Sequence, residues 1–276
     1  MPTKKPLSDA QAQRLIKLYD QAEKEILKEC NRLLLKNPES YSLAWQKTVL
    51  ARTRQIRKGL LDGSRTWCSE AIPDSYMKGM AWADADPLAG QKLMAGFGKI
   101  HQQAVEVLAE NSYSRLLDVN NVVGRRVDDI FRTVALENTK GSVIGYETTK
   151  QAAKRIREDL AERGITGFRD KAGHEWDMAR YAKVLANETT NGAFRQGTIN
   201  RLQEKGHDLV RLSSHSGSCP RCTPFEGRTF SLSGTDSEYP SLDEARAGGV
   251  FHPGCLHVIS LAPEEKDRYL ASLKNS

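Results

Sequence analysis

A chain of 276 residues that is 39% hydrophobic and 28% charged has apolar material for a core of its own and needs no disulfide staples. Its mean hydropathy of −0.56, with no apolar run near the ~18–20 residues that cross a bilayer, excludes a helical membrane protein. A net charge of +6 tolerates nucleic acid, but Lys and Arg are scattered rather than blocked, which favours a solvated mixed-charge surface over a dedicated groove.

The opening MPTKKPLSDAQAQRL carries no apolar signal-peptide core, so a soluble protein made and kept in a cytoplasm is expected. From there the first ~165 residues read as helix after helix. Ser8 and Asp9 cap a helix with Leu15, Leu18, Ala22, Ile26 and Leu33 on one face, ending before NPES. Ser40 opens the next, with Leu43, Trp45, Val49 and Ile56, closing near Gly59 to Gly63. A third, around SRTWCSEAIPDSYMKGMAWA, is predicted to break or kink at Pro73. A long segment, DPLAGQKLMAGFGKIHQQAVEVLAENSYSRLLDVNN, has Pro87 near its start, where proline is tolerated. Helices over Val122 to Thr139 and Tyr146 to Arg163 follow, the second stopped by Gly164. Cys30 and Cys68 stand alone in these helices and read as buried small hydrophobes.

At Gly164 the pattern changes. GITGFRDKAGHEWD alternates and turns at DKAG, a short β-hairpin. Met178, Tyr181, Leu185, Thr189, Ala193 and Ile199 then recur at helical spacing until Gly206. HDLVRLSS is a strand, RTFSL another, SLDEARAG a short helix, HVISLA a last strand and PEEKDRYLASLK a closing helix. The fold class is therefore α+β: a mainly helical region over residues 1–164 and a small α+β domain over residues 165–276.

Two short stretches within that domain carry chemistry. SCPRCTPFEGRTF sets Cys219 and Cys222 as C-x-x-C, and VFHPGCLH sets His252 and Cys255 as H-x-x-C. A turn between paired ligands folds both inward; Pro220 stiffens the first turn and Gly254 permits the second. Three of the five cysteines and two of the six histidines fall in these two stretches, which outweighs the reading of core cysteines beside a surface histidine. Cys219, Cys222, His252 and Cys255 make a closed Cys3His set, the composition of a structural zinc site, with His215 and His257 as alternates. The 29-residue spacer holds its own strand, turn and helix, so two half-sites are brought together by the fold. No thioredoxin-like βαβ precedes the cysteines, and the H-x-E of a zinc deaminase is missing, His215 being followed by Ser216 and Gly217. One enzyme reading survives: a metal-dependent hydrolase or nuclease with His215, His252 and His257 on the ion and Glu226 as base. It needs an open coordination position, which three thiolates tend to close.

RYAKVLANETTNGAFRQGTINRLQEKGHDLVRLSSHSGSCPRCTPFEGRTFSLSG and then YPSLDEARAGGVFHPGCLHVISL resemble the tailed-phage minor capsid protein 2 family, and more loosely the Mu F-like head-morphogenesis proteins. The shared order is a long helix with Glu188 and Thr189, a strand ending in Ser-Ser-His, C-x-x-C, Phe225 and Gly227, a strand, Tyr-Pro-Ser-Leu with a short helix, and His-Pro-x-Cys-x-His ending at His257. The likeness covers approximately Gly164 to Leu261. It implies a structural, non-enzymatic protein of the phage head, present in few copies and placed near the portal during procapsid assembly. The implied partners are the portal protein, a scaffold or major capsid protein and, without sequence reading, packaged DNA; no membrane is implied. The implied location is the virion, and the host cytoplasm during assembly. Some relatives lack the paired cysteines, so the resemblance assigns the metal no catalytic use.

Overall fold

The computed structural model describes residues 8–34, 43–86, 97–137, 143–144, 147–148, 166–170 and 173–274. Helix α1 (Ser8–Leu34) buries Ala12, Leu15, Tyr19, Ala22, Ile26 and Cys30, a stripe at helical spacing that runs through Tyr19 rather than Leu18. Helix α2 (Leu43–Asp84) is one continuous element where the sequence predicts two. Gly59 and Gly63 keep negative φ and so do not end it, and helix formers flank both. Pro73 costs a hydrogen bond, yet Ala71, Ile72 and Tyr76 around it are wholly buried, and that burial offsets the ~3 kcal/mol of an interior proline.

Helix α3 (Lys99–Glu137) likewise fuses two predicted helices across Asn120. Asn120 is buried, and its side chain spans to α2: Arg57 Nε donates to Asn120 Oδ1 at 2.9 Å, and Asn120 Nδ2 donates to the Arg57 carbonyl at 2.9 Å. A polar pair read as a break is thus a register pin between two helices. Where a helix is predicted from Tyr146, strands β1 (Val143–Ile144) and β2 (Glu147–Thr148) pair antiparallel instead, as their β-branched residues favour. The rest of that predicted helix, and the boundary at Gly164, lie outside the described residues.

The hairpin expected at DKAG is present as β3 (Phe168–Arg169) paired with β4 (Glu175–Trp176). Helix α4 (Met178–Glu204) follows and buries Met178, Leu185, Ala193 and Ile199, as its spacing predicts. A three-stranded antiparallel sheet then forms from β5 (Leu209–Leu212), β6 (Thr229–Ser231) and β7 (Ile259–Leu261), with β5 central. Val210 faces both Phe230 and Leu261, which sets the register. Helix α5 (Leu242–Ala247) begins at a capping box made by Ser241 and Glu244, and α6 (Pro263–Lys274) closes the chain.

By internal contacts the chain forms two compact units, each discontinuous in sequence. One comprises Gln13–Trp67 and Tyr113–Lys183, and the Arg57–Asn120 pin belongs to it. The other comprises Met1–Ala12, Cys68–Ser112 and Val184–Ser276. Its core joins Ala83 of α2, Ile199 and Leu202 of α4, and Val210, Leu212, Phe230, Leu242, Val250, Ile259 and Leu261. Trp82 Nε1 donates to the Ile259 carbonyl at 3.1 Å, so the end of α2 is stitched to β7.

Beside this core Asp84 receives Arg201 Nε at 2.9 Å and pairs with Lys205 Nζ at 2.7 Å. Burial raises the Asp84 carboxyl, but the Arg201 and Lys205 contacts outweigh it and hold it below the ordinary value of 3.8. A depressed folded-state pKa means stability that is present above that ordinary value and is lost as pH falls through the folded one. Asp84→Asn should therefore lower stability at neutral pH by about 1.5–3 kcal/mol, and the deficit should shrink in acid. Thermal melts of both proteins across pH check this; a gap independent of pH would refute it.

Candidate metal centre

Because β6 and β7 both run antiparallel to β5, the exit of β5 and the entries to β6 and β7 share one end of the sheet. Backbone pairing continues past the strands: Ser213 N–H donates to the Val258 carbonyl at 2.9 Å, and Gly227 N–H to the Leu212 carbonyl at 3.0 Å. His215, Glu226 and His257 are brought together there by three separate segments. His257 Nε2 lies 2.8 Å from Glu226 Oε1, the His215 backbone N–H donates to the same oxygen at 3.0 Å, and the two imidazoles are 4.4 Å apart.

The cysteines arrive on two tight turns of one type. Cys222 N–H donates to the Cys219 carbonyl at 3.0 Å, and Cys255 N–H to the His252 carbonyl at 2.9 Å, so each ligand pair closes an i→i+3 turn that points both side chains the same way. Gly254, with φ of 84°, makes the second turn feasible. Phe251 just before it also has positive φ, 67°, a strained state for a bulky residue and common where a site is held in place.

The donor atoms form three overlapping trios, each within 4.8 Å: Cys219, Cys222 and His252; Cys222, Cys255 and His257; and His215, Glu226 and His257. Cys219 Sγ is 3.1 Å from His252 Nε2, Cys222 Sγ is 3.9 Å from Cys255 Sγ, and Cys255 Sγ is 3.2 Å from His257 Nδ1. The four residues expected as ligands are split between two of these trios, Cys219, Cys222 and His252 in one and Cys255 in the next with Cys222 and the alternate His257, and the alternate His215 lies in the third. Thiolate and imidazole donors at this spacing suit a soft or borderline divalent cation, and these groups could hold one.

The electrostatics follow position. Burial pushes the Cys219 thiol up, but hydrogen bonds from the Cys222 backbone and thiol and from His252 outweigh it and bring it to about 7. Burial, with the neighbouring sulfurs of Cys219 and Cys255, drives Cys222 up to about 12. The hydrogen bond from His257 holds Glu226 below the usual carboxylate range, while burial lowers His257. Arg195, on the buried side of α4, sets its guanidinium 4.5 Å over the Phe251 ring, and its Nη1 donates to the His257 carbonyl at 3.4 Å. Burial lowers Arg195 to about 10, and Cys255 is its leading favourable electrostatic neighbour.

Arg195 is not singled out by sequence reasoning, since one arginine in an amphipathic helix carries no motif. Glu226, the base of the alternative enzyme reading, faces His257 Nε2 at 2.8 Å and accepts from the His215 backbone N–H. Thr189 hydrogen-bonds its own helix, at the Leu185 carbonyl, 2.9 Å away. Cys30 and Cys68 are buried, as expected of small hydrophobes.

A model of the family described as phage minor capsid protein 2 matches residues 6–262. A curated relative called "Structural protein", from Lactococcus phage LL-H, is 20% identical over 139 residues, 47% of this chain and 38% of that protein. The match therefore spans well under two thirds of the relative's length. No solved structure matches the chain. Among the described residues no helix is long and apolar enough to cross a membrane.

Proposed function

We propose, from the premise that the chain belongs to the phage minor capsid protein 2 family, that it is a structural component of a tailed-phage virion. Its place is the head near the portal, where it is installed during procapsid assembly. The observation that carries this is the family match over nearly the whole chain, residues 6–262, with a curated phage structural protein among its relatives. The partners are the portal protein and a scaffold or major capsid protein. The net charge of +6 suits non-sequence-specific contact with packaged DNA. A tagged chain incubated with a phage lysate should retain the portal protein, and purified virions should contain the chain. Absence from virions together with no portal capture would overturn this reading.

The Cys/His cluster serves that role as a structural zinc centre, held by the thiolates of Cys219, Cys222 and Cys255 and one histidine, which the ligand spacing assigns to His252. Zinc adds the attraction that three clustered thiolates lack on their own, and the chain supplies two turns that present them. The enzyme reading draws on one observation, the trio of His215, Glu226 and His257. There Glu226 accepts from both His257 and the His215 backbone, which supports an orienting carboxylate over a general base. Glu226→Gln should abolish no hydrolase or nuclease activity; loss of a measured turnover with unchanged thermal stability would favour the enzyme.

A further inference from the structure

Three thiols and two imidazoles converge on Cys222, one donor more than a tetrahedral ion takes, and their surroundings are unequal. Cys219 and His252 are half-buried at the rim, whereas Cys222, Cys255 and His257 are at most 4% exposed. Each histidine turns one ring nitrogen to a thiol, and what holds the other nitrogen separates them. His252 Nδ1 meets the carbonyl of the next residue, Pro253, at 2.8 Å, a local contact that moves with its own loop. His257 Nε2 meets Glu226 at 2.8 Å across the sheet end, and that carboxylate is itself pinned by the His215 backbone. A carboxylate accepting from Nε2–H leaves the ring's lone pair on Nδ1, the atom that faces Cys255 Sγ at 3.2 Å. A carboxylate backing the remote nitrogen is how metal-binding imidazoles are held and made more basic.

Charge points the same way. Three thiolates on a divalent ion leave one net negative charge, which a buried site must compensate. Arg195 brings a buried guanidinium to this inner side, where it donates to the His257 carbonyl.

The geometry points to His257 as the histidine ligand of the metal, with Cys219, Cys222 and Cys255, and to Glu226 as its positioning residue, His252 being an outer partner of Cys219. This rests on the metal reading above and replaces His252 in its ligand set. The test uses the full-length chain titrated with Co(II), followed by its ligand-field absorption, and competed with Zn(II). His257→Ala should weaken binding at least 100-fold and Glu226→Gln about 10–100-fold, the range for loss of a group behind a ligand. His252→Ala should cost less than Glu226→Gln and keep the four-coordinate spectrum. His257→Cys should restore tight binding with a spectrum shifted toward four thiolates, which a merely packed imidazole would not do; this also covers an Ala variant that fails to fold. Tight binding retained in His257→Ala but lost in His252→Ala overturns the assignment. A wild-type chain that binds neither ion overturns the metal reading itself, and a wild-type chain that binds while His257→Ala is unchanged removes only this inference.

Discussion

Chelation of the metal from the full-length protein is expected to loosen the two ligand turns within the segment from His215 to Leu261 while the sheet core and the N-terminal helices stay folded. Between β6 and β7 the chain runs from Leu232 to Val258, and its buried apolar anchors there are few: Leu242, Ala245, Val250, Cys255 and Val258. Without a cation, the sulfurs and imidazoles are linked only by contacts such as the 3.9 Å approach of Cys222 to Cys255. Structural zinc contributes on the order of 10 kcal/mol in peptides that have no other core; here the sheet core of Val210, Phe230 and Ile259 persists, so the loss should be smaller and local. Hydrogen exchange with and without chelator would show rising exchange in the two ligand turns and little change in α1. Cys222→Ser should do the same and empty the site, and Cys68→Ser should leave metal content unaltered. An unchanged exchange pattern after complete metal removal would refute a structural role.

Adding one methyl group at Gly79 or Gly197 is expected to destabilise the unit that holds the Cys/His cluster by about 1–3 kcal/mol or more. A Cβ at Gly79 would lie 1.9 Å from the Phe194 carbonyl oxygen, and one at Gly197 would lie 2.1 Å from the Tyr76 carbonyl oxygen. Both obstacles are backbone, which cannot turn aside as a side chain does. The two glycines let α2 and α4 touch main chain to main chain, and the Thr198 hydroxyl donates to the Gly79 carbonyl at 3.1 Å across the contact. Gly192→Ala in the same helix is the control: among the described residues nothing lies within 4 Å of its added Cβ, so it should gain about 0.5–1 kcal/mol. Denaturant melts of the three variants decide it, and equal effects at Gly192 and Gly197 would refute the close crossing.

Sequence reasoning and the structure agree most closely after Gly206. Each strand there is a short stretch that carries apolar residues and is flanked by turn or charged residues, and the α5 capping box is spelled out by Ser241 and Glu244. They part in the helical half. Gly59, Gly63, Pro73 and Asn120 are local breakers; the glycines are carried by the helix formers around them, Pro73 by the burial of its neighbours, and Asn120 by Arg57, a partner far along the chain. No local pattern reports that partner.

Taken alone, the sequence determined the class of the chain and the pairing of the cysteines and histidines that could hold a metal. Helical spacing, strand alternation, and two ligand pairs two residues apart are short-range facts, and short-range sterics and hydrogen bonding act on them directly. Only the tertiary structure decided how those donors are ranked. The antiparallel order of β6, β5 and β7 brings Glu226 to His257, and α4 brings a buried Arg195 to the His257 carbonyl. The tertiary structure likewise decided that Gly79 and Gly197 form a helix crossing. These depend on contacts between residues 31 to more than 100 positions apart, where the physics is that of burial and charge in a shared interior.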